Sequence, residues 1–577
     1  MRIPFVHRER DQDGDRSPDD ERDQHPDQGG GRTPDQEGEN RPPEHGPGRT
    51  ARGPARRRAF GRSLLALACG ALPALAFPAP GLWWWAYLAL VPWLLLIRTA
   101  PGARRAALDG WLGGIGFVLA VHHWLLPSLH VFLLPIAALL GLLWLPWGWL
   151  VRFLLGGAPS ALRAGVALLA VPSGWLLIEL VRSWEGLGGP WGLLGASQWE
   201  VPAALRLASV GGVWLVTLLV VAANTAVTLL VAAPGARTVG VAGIAACALV
   251  AGTVAWGVGA PGVTGTVRVA LVQPGVFDGP DGAEQRFDRA EELTRSLVGQ
   301  HVDLVVWGES GVGADPAGRP DLAARLTALS RAVDAPLLVN VDARRADRPG
   351  IFKSAVLVGP EGLTGERYDK MRLVPFGEYV PARGVLGWVA SFGKAADEDR
   401  RRGTAPVVMT LPGTGDATTP ALRIGPLICF ESAFPDMSRH LVRGGAGLLV
   451  VQSSTSTFQE SWAPAQHASL AALRAAETGR PVVHATLTGV SAAYGPDGRR
   501  IGPVLGTDAS AVAVRDLPLS SSTTGYVRWG DWPLYGALAV VGAVCAAEGA
   551  GALRRPGSAP RARRARTARG SAGRRAR

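Results

Sequence analysis

Two patterns of apolar residues divide this chain. From Ala59 to Gly259 the apolar stretches are long and separated by short polar breaks, each close to the roughly 20 residues that cross a hydrocarbon layer. About seven fall near 62–79, 82–99, 107–126, 131–154, 162–182, 205–232 and 237–258, and one more near 532–552, which predicts about eight spans. From 260 to 530 the pattern becomes short β-rich runs alternating with helical ones. Strands are expected at 266–273, 302–307, 336–341, 355–358, 422–430, 448–452, 482–486 and 511–514. Helices are expected near 284–298, 321–333 and 465–477, and from Phe434. This alternation predicts an α/β domain of about 265 residues with its own core.

Composition sharpens the division. A positive mean hydropathy and 20 tryptophans fit a membrane protein with a folded polar part. The net charge of +12 is concentrated in the tails. Residues 1–58 mix Arg, Asp, Glu, Pro and Gly, and 554–577 is nearly an Arg/Ala/Gly/Pro polymer; neither has the apolar surface to order itself. Beside a membrane span, such a basic tail reads as a topology signal and a lure for anionic lipid. No nucleic-acid motif accompanies it, so no nucleic-acid partner is expected. The polar stretch before the first span, and the second span close behind it, argue against a cleavable signal peptide.

The arginines set an orientation. Arg98, Arg104, Arg105, Arg152, Arg163 and Arg237 lie in alternate connections, whereas Pro78–Gly81 and Pro127–His130 contain no Lys or Arg. With positive residues inside, both tails are cytoplasmic and the α/β domain is extracytoplasmic. The expected organisation is therefore a tail at 1–58, membrane helices at 59–259, the α/β domain at 260–530, a last helix at 531–553 and a tail at 554–577.

Three of the four cysteines, Cys69, Cys247 and Cys545, lie in apolar stretches, where a small buried hydrophobe is reason enough for them. Cys429 alone belongs to the α/β domain and has no disulfide partner there. By itself it reads first as a core residue at a strand end. A neighbouring base or cation would make it a nucleophile by lowering its pKa. Two candidates stand in the chain. Glu309 ends the buried-type strand Val302–Trp307. Lys370 is one of only three lysines, with Lys353 and Lys394, in an arginine-dominated sequence. A lysine under that bias points to a need for a compact ammonium group beside a developing oxyanion. No P-loop or CxxC motif is present, and neither metal nor organic cofactor is expected.

Glu309 after Trp307-Gly308, Lys370 after Tyr368-Asp369 and before Pro375-Phe376-Gly377-Glu378, and Cys429 within Leu427-Ile428-Cys429-Phe430-Glu431 resemble the three catalytic words of the nitrilase superfamily. A nitrilase-like αββα sandwich between the seventh and eighth spans is similar to the apolipoprotein N-acyltransferase family in particular. Further words in keeping are Glu179 with Arg182 before Pro190-Trp191, Val272-Gln273-Pro274, Gln466-His467, Arg474 with Glu477, and Thr488-Gly489 before Ser491. The resemblance implies a Glu309-Lys370-Cys429 triad, with Glu378 and Glu431 holding the lysine and shaping the pocket and the backbone N–H near Phe430 assisting at the oxyanion. It implies a phospholipid acyl donor, diacylglyceryl apolipoproteins as acceptors, a Cys429 thioester, and a monomer in the cell membrane. Trp388 and Phe392 lie in an apolar loop, 385–392, suited to dipping into the outer leaflet. Two positions depart from the family pattern: Ser454–Phe458 replaces Asn-Asp-x-Trp-Phe, and Gly308 replaces Pro. The same triad would also serve a membrane-tethered nitrilase-type amidase passing the acyl group to water, although a hydrolase has little use for seven preceding spans.

Overall fold

The computed structural model describes residues 52–277, 279–388, 398–413 and 421–554. Phe392 and most of both expected tails lie outside the described residues. Six helical segments among the described residues are long and apolar enough to cross a membrane: Arg57–Ala76, His123–Gly141, Ala161–Arg182, Pro202–Ala232, Pro234–Gly257 and Trp532–Ala550. The stretch expected at 82–99 is instead the two short helices Trp83–Tyr87 and Val91–Arg98, with Pro92 opening the second. The helix Ala103–Val121 carries Arg104, Arg105 and Asp109. Asp109 is fully buried and pairs with Arg62 and Arg105 at 2.8 Å each, as an interior carboxylate must. Close helix crossings depend on small residues. A Cβ on Gly110 would meet Trp144 O at 2.4 Å, and one on Gly148 would meet Ala106 O at the same distance. Around this crossing Trp93, Trp144, Trp147, Trp175 and Phe117 pack with ring centroids 5.1 to 6.4 Å apart.

The remaining chain builds two sheets. The first contains β1 (Gly265–Gln273), β2 (Leu304–Trp307), β3 (Leu337–Arg344), β4 (Ile351–Gly359) and β5 (Gly362–Asp369). The second contains β6 (Met409–Thr410), β7 (Arg423–Ile428), β8 (Leu448–Ser453), β9 (Val482–Thr486) and β10 (Ala492–Tyr494), and β11 (Ala511–Leu519) returns to the first. Their orders are β11-β1-β2-β3-β4-β5 and β10-β9-β8-β7-β6. β2 lies parallel between β1 and β3, and β8 lies parallel between β7 and β9. These interior strands are continuous apolar runs because both of their faces are covered.

Leu271, Val306, Leu338, Ile424, Ile428 and Val450 fill the space between the sheets. Helices Gly282–Arg295 and Pro320–Val333 cover the outer face of the first sheet through Phe287, Ala290, Leu326 and Leu329. Helices Pro435–Arg443 and Ala463–Thr478 cover the second, and their Leu441, Leu470 and Leu473 share one core with Leu205, Leu207 and Val213 of the apolar helices. The αββα sandwich is thus present, and one of its helical layers is also the seam to the apolar helices. Polar bonds fix that seam. Pro202–Ala232 breaks at Gly211 and Gly212, and the freed N–H of Val213 donates to Glu477 Oε1 at 2.8 Å. Trp191 Nε1 donates to Gln466 Oε1 at 2.8 Å.

Candidate active site

The ends of three strands deliver the site. After β2, Gly308 presses against the end of β9: a Cβ there would lie 1.9 Å from Leu487 N and 2.2 Å from Thr486 C, so no side chain fits. This closeness accounts for glycine at that position. The chain then turns sharply, with Glu309 N donating to Ser453 O at 3.1 Å and Ser310 at a φ of 58°. The turn buries Glu309, which is 2% exposed.

Lys370 follows β5 directly and is fully buried. Its N–H donates to Lys353 O and its carbonyl accepts from Gly403 N, both at 2.8 Å, so the backbone is clamped on both sides. Nζ donates to Glu378 Oε1 at 2.7 Å and to Glu309 Oε1 at 3.2 Å. Glu378 is fixed in turn by its own loop, its Oε2 accepting from Val374 N at 2.8 Å.

Cys429 stands where β7 gives way to the 3-10 helix Cys429–Ala433. The strand expected to reach Phe430 ends at Ile428, because Cys429 adopts a φ of 52°. That left-handed conformation costs a side-chain-bearing residue about 1 kcal/mol or more, and the thiol is left partly buried against the core between the sheets. The surroundings hold it in place. Cys429 O accepts from His467 Nε2 at 3.0 Å and from Ser432 Oγ at 3.0 Å. Because a carbonyl only accepts, His467 carries its proton on Nε2, and Nδ1 accepts from Ser453 Oγ at 3.1 Å. Burial lowers the His467 imidazole to about 4, so it stays neutral. Phe430 and Phe434 pack edge to face, 4.9 Å apart, beneath Gly189 of the loop after Arg182. A Cβ on Gly189 would strike both rings, at 2.5 and 2.8 Å.

Glu431 departs from its expected role. It does not reach the lysine. Oε1 accepts from Tyr368 Oη at 2.6 Å, Met371 N at 2.7 Å and Arg372 N at 3.1 Å, while Oε2 accepts from Ile428 N at 2.8 Å. One buried carboxylate therefore ties the Lys370 loop to the Cys429 turn and sets their spacing. Holding the lysine falls to Glu378. Glu179 does not pair with Arg182 either: its Oε1 accepts from Trp175 Nε1 and Leu194 N, and Arg182 donates to Trp191 O and Gly192 O.

The charges overturn the expectation of an acidified thiol. Burial and the Glu309 carboxylate push Cys429 up to about 12, outweighing the pull of Lys370 and Lys353. Burial alone would also raise Glu309, but Lys353 and Lys370 hold it well below the usual carboxylate range. The resting pair is a thiol beside a carboxylate. Lys370 keeps its proton: burial opposes the charge, and Glu309 and Glu378 more than compensate.

Lys353 is the side chain that sequence reasoning passed over. Projecting from β4, it places Nζ 2.7 Å from Glu309 Oε1, 3.2 Å from Glu378 Oε1 and 3.7 Å from Asp342 Oδ2. The scarcity of lysine that singled out Lys370 applied equally to it. Trp388 is 55% exposed and meets Phe132 edge-on at 5.7 Å. The departing segment forms the 3-10 turn Ser456–Phe458, and Phe458 packs on Trp124 at 4.9 Å, closing the seam with the apolar helices.

Comparison with known proteins agrees with this layout. Residues 268–524 match the family model described as carbon-nitrogen hydrolase, and residues 69–226 match the apolipoprotein N-acyltransferase N-terminal domain. The chain is 33% identical over 501 residues to an apolipoprotein N-acyltransferase of Azotobacter vinelandii, covering 82% of this chain and 92% of that one. Relatives of the same name from Pseudomonas aeruginosa (32% identical) and Geobacter metallireducens (30%) each align over 83% of this chain and 94% of their own. With both halves matched and the junction between them built as one packed seam, the chain belongs to the apolipoprotein N-acyltransferase family, acyltransferases that join a nitrilase-type domain to apolar helices.

Proposed function

We propose that this protein N-acylates the amino-terminal diacylglyceryl-cysteine of apolipoproteins, taking the acyl chain from a phospholipid through a thioester on Cys429. The observation that carries this reading is the meeting of Glu309, Lys370 and Cys429 at three strand ends, in a domain whose nucleophile turn packs against the apolar helices. In the first step the Cys429 proton passes to Glu309 as Sγ bonds to the ester carbonyl carbon. Lys370, with the Phe430 backbone N–H, stabilises the oxyanion. Collapse breaks the C–O bond, and Glu309 returns the proton to the departing lysophospholipid oxygen. In the second step the acceptor's α-amine attacks the thioester and gives a proton to Glu309. The C–S bond then breaks, and the thiol is regenerated with that proton. Mass spectrometry of one lipoprotein's amino-terminal peptide is expected to show the third acyl chain with this gene and two chains without it. A triacylated peptide in the strain lacking the gene, with no other such enzyme present, would overturn the assignment.

The protein acts as a monomer in the cell membrane with its active site outside the cytoplasm. Support comes from three arginines of the expected inner connections, which gather at one end of the helices. Arg98 donates to Leu155 O and Gly157 O, Arg152 to Ala100 O and Arg163 to Leu154 O. A reporter active only outside the cytoplasm is expected to work when fused after Gly262 and to fail after Arg237. The reverse pattern would put the triad in the cytoplasm and overturn this topology.

A further inference from the structure

We propose that Lys353 is a working part of the active site, a positioning residue that pins Oε1 of Glu309 and sets a second positive charge against it. The inference rests on the reading of Glu309 as the proton carrier. Its basis is geometric. Lys353 Nζ, at 2.7 Å, and Lys370 Nζ, at 3.2 Å, close on the same oxygen, Oε1, and neither ammonium donates to Oε2. Both also reach Glu378 Oε1, at 3.2 and 2.7 Å. Asp342, opposite Lys353 in the β3–β4 pairing, holds the outer side of its ammonium at 3.7 Å and is itself bonded by Arg400. The Lys353 side chain is 13% exposed, so little solvent screens these charges.

The consequence concerns the proton's return. When Glu309 takes the thiol proton, its negative charge disappears while two ammonium groups stay in contact with it, and that state is disfavoured. The proton is then driven onto the departing oxygen in the first step and onto the sulfur in the second. Glu309 faces Lys353 and Lys370, the Cys429 thiol and, at longer range, Glu378, Asp342 and neutral His467. Of these, Lys353 and Lys370 oppose its protonation, and Lys370 has the oxyanion to serve as well. Lys353 pairs otherwise with Glu378 and Asp342, and its shortest contact is to Glu309. The depressed titration of Glu309, in which Lys353 is the larger of the two lowering influences, agrees with this division of labour.

The test follows thioester formation on Cys429 from labelled phospholipid, without acceptor, between pH 5 and 8 in the full-length protein in detergent. In wild type Glu309 titrates below this window, so its ionisation leaves the rate flat towards pH 5. In Lys353→Met and Lys353→Gln its pKa rises into the window, so the rate is expected to fall as the pH drops to 5, by up to about tenfold for each pH step of one below the new pKa. The plateau is expected to fall as well. Gln retains a hydrogen-bond donor and Met does not, so a change of profile common to both identifies the charge. Lys353→Arg keeps the charge and should keep the acid side flat. If the Met and Gln variants fold, as judged by thermal melting, and retain the wild-type pH profile, the proposal is overturned. If none of the three variants folds, Lys353 is a structural ion-pair partner and the proposal is overturned too. Glu309→Gln is run in parallel. Labelling of that variant at the wild-type rate would remove the reading of Glu309 itself, whereas an unlabelled Glu309→Gln protein beside a Lys353→Met protein with the wild-type profile would remove only the role of Lys353.

Discussion

Cys429→Ser is expected to lose acyl transfer by about 10³-fold or more while keeping its fold. The oxygen replaces sulfur almost isosterically, and the new side chain inherits the same backbone φ of 52° and the same bonds from His467 and Ser432 to its carbonyl. What changes is the proton. The thiol already sits at about 12, and a hydroxyl in the same buried place, beside the same carboxylate, is harder still to ionise. Glu309 is a weak base because two ammonium groups hold it, so it cannot make good the difference. Lipoproteins would remain diacylated, and no hydroxylamine-sensitive label would form from phospholipid. A Ser variant transferring at the wild-type rate would exclude the covalent route.

Those parts of the site that lie at the ends of apolar runs were legible in the sequence. Leu304–Trp307 and Arg423–Ile428 are interior strands, and a carboxylate or thiol directly after such a run must emerge at the sheet's end. β5 was invisible for the opposite reason. As an edge strand of the first sheet it leaves Leu363, Thr364 and Gly365 exposed and buries only Tyr368, so Gly362–Asp369 shows no apolar period. Lys353 was hidden for a related reason: it lies just before the apolar run expected as a strand at 355–358, and only the pairing of Asp342 with Lys353 and of Ser354 with Asp369 brings it beside Lys370.

The role of Glu431 could not be read because its partners are mostly backbone N–H groups, which leave no trace in side-chain chemistry. The raised thiol was misjudged because a pKa is a sum over three dimensions. Proximity to a base and a lysine was foreseeable, but not that burial and a nearby anion would outweigh the lysines. Likewise Gly308 reads as a departure from a pattern until the approach of Thr486 and Leu487 is seen.

Glu309→Gln is expected to separate ionising the thiol from completing the reaction. Removing the carboxylate charge removes the strongest anionic influence on Cys429, while Lys370 and Lys353 remain, so the thiol's pKa should fall from about 12. The sign is clear: at any pH below the wild-type value the Glu309→Gln variant carries more thiolate, and iodoacetamide should alkylate Cys429 faster at about pH 7.5. Acylation should nevertheless drop by about 10²-fold or more. Attack by the thiolate still produces a tetrahedral intermediate against Lys370, but no protonated Glu309 is present to hand a proton to the lysophospholipid oxygen. A thiolate leaves more readily than an alkoxide, so the intermediate falls back to reactants. Faster alkylation with slower thioester formation is therefore the signature of a proton carrier. If the variant instead showed slower alkylation and unchanged acylation, Glu309 would be an electrostatic spacer between the lysines, and Glu378, 2.7 Å from Lys370, would become the candidate to carry the proton.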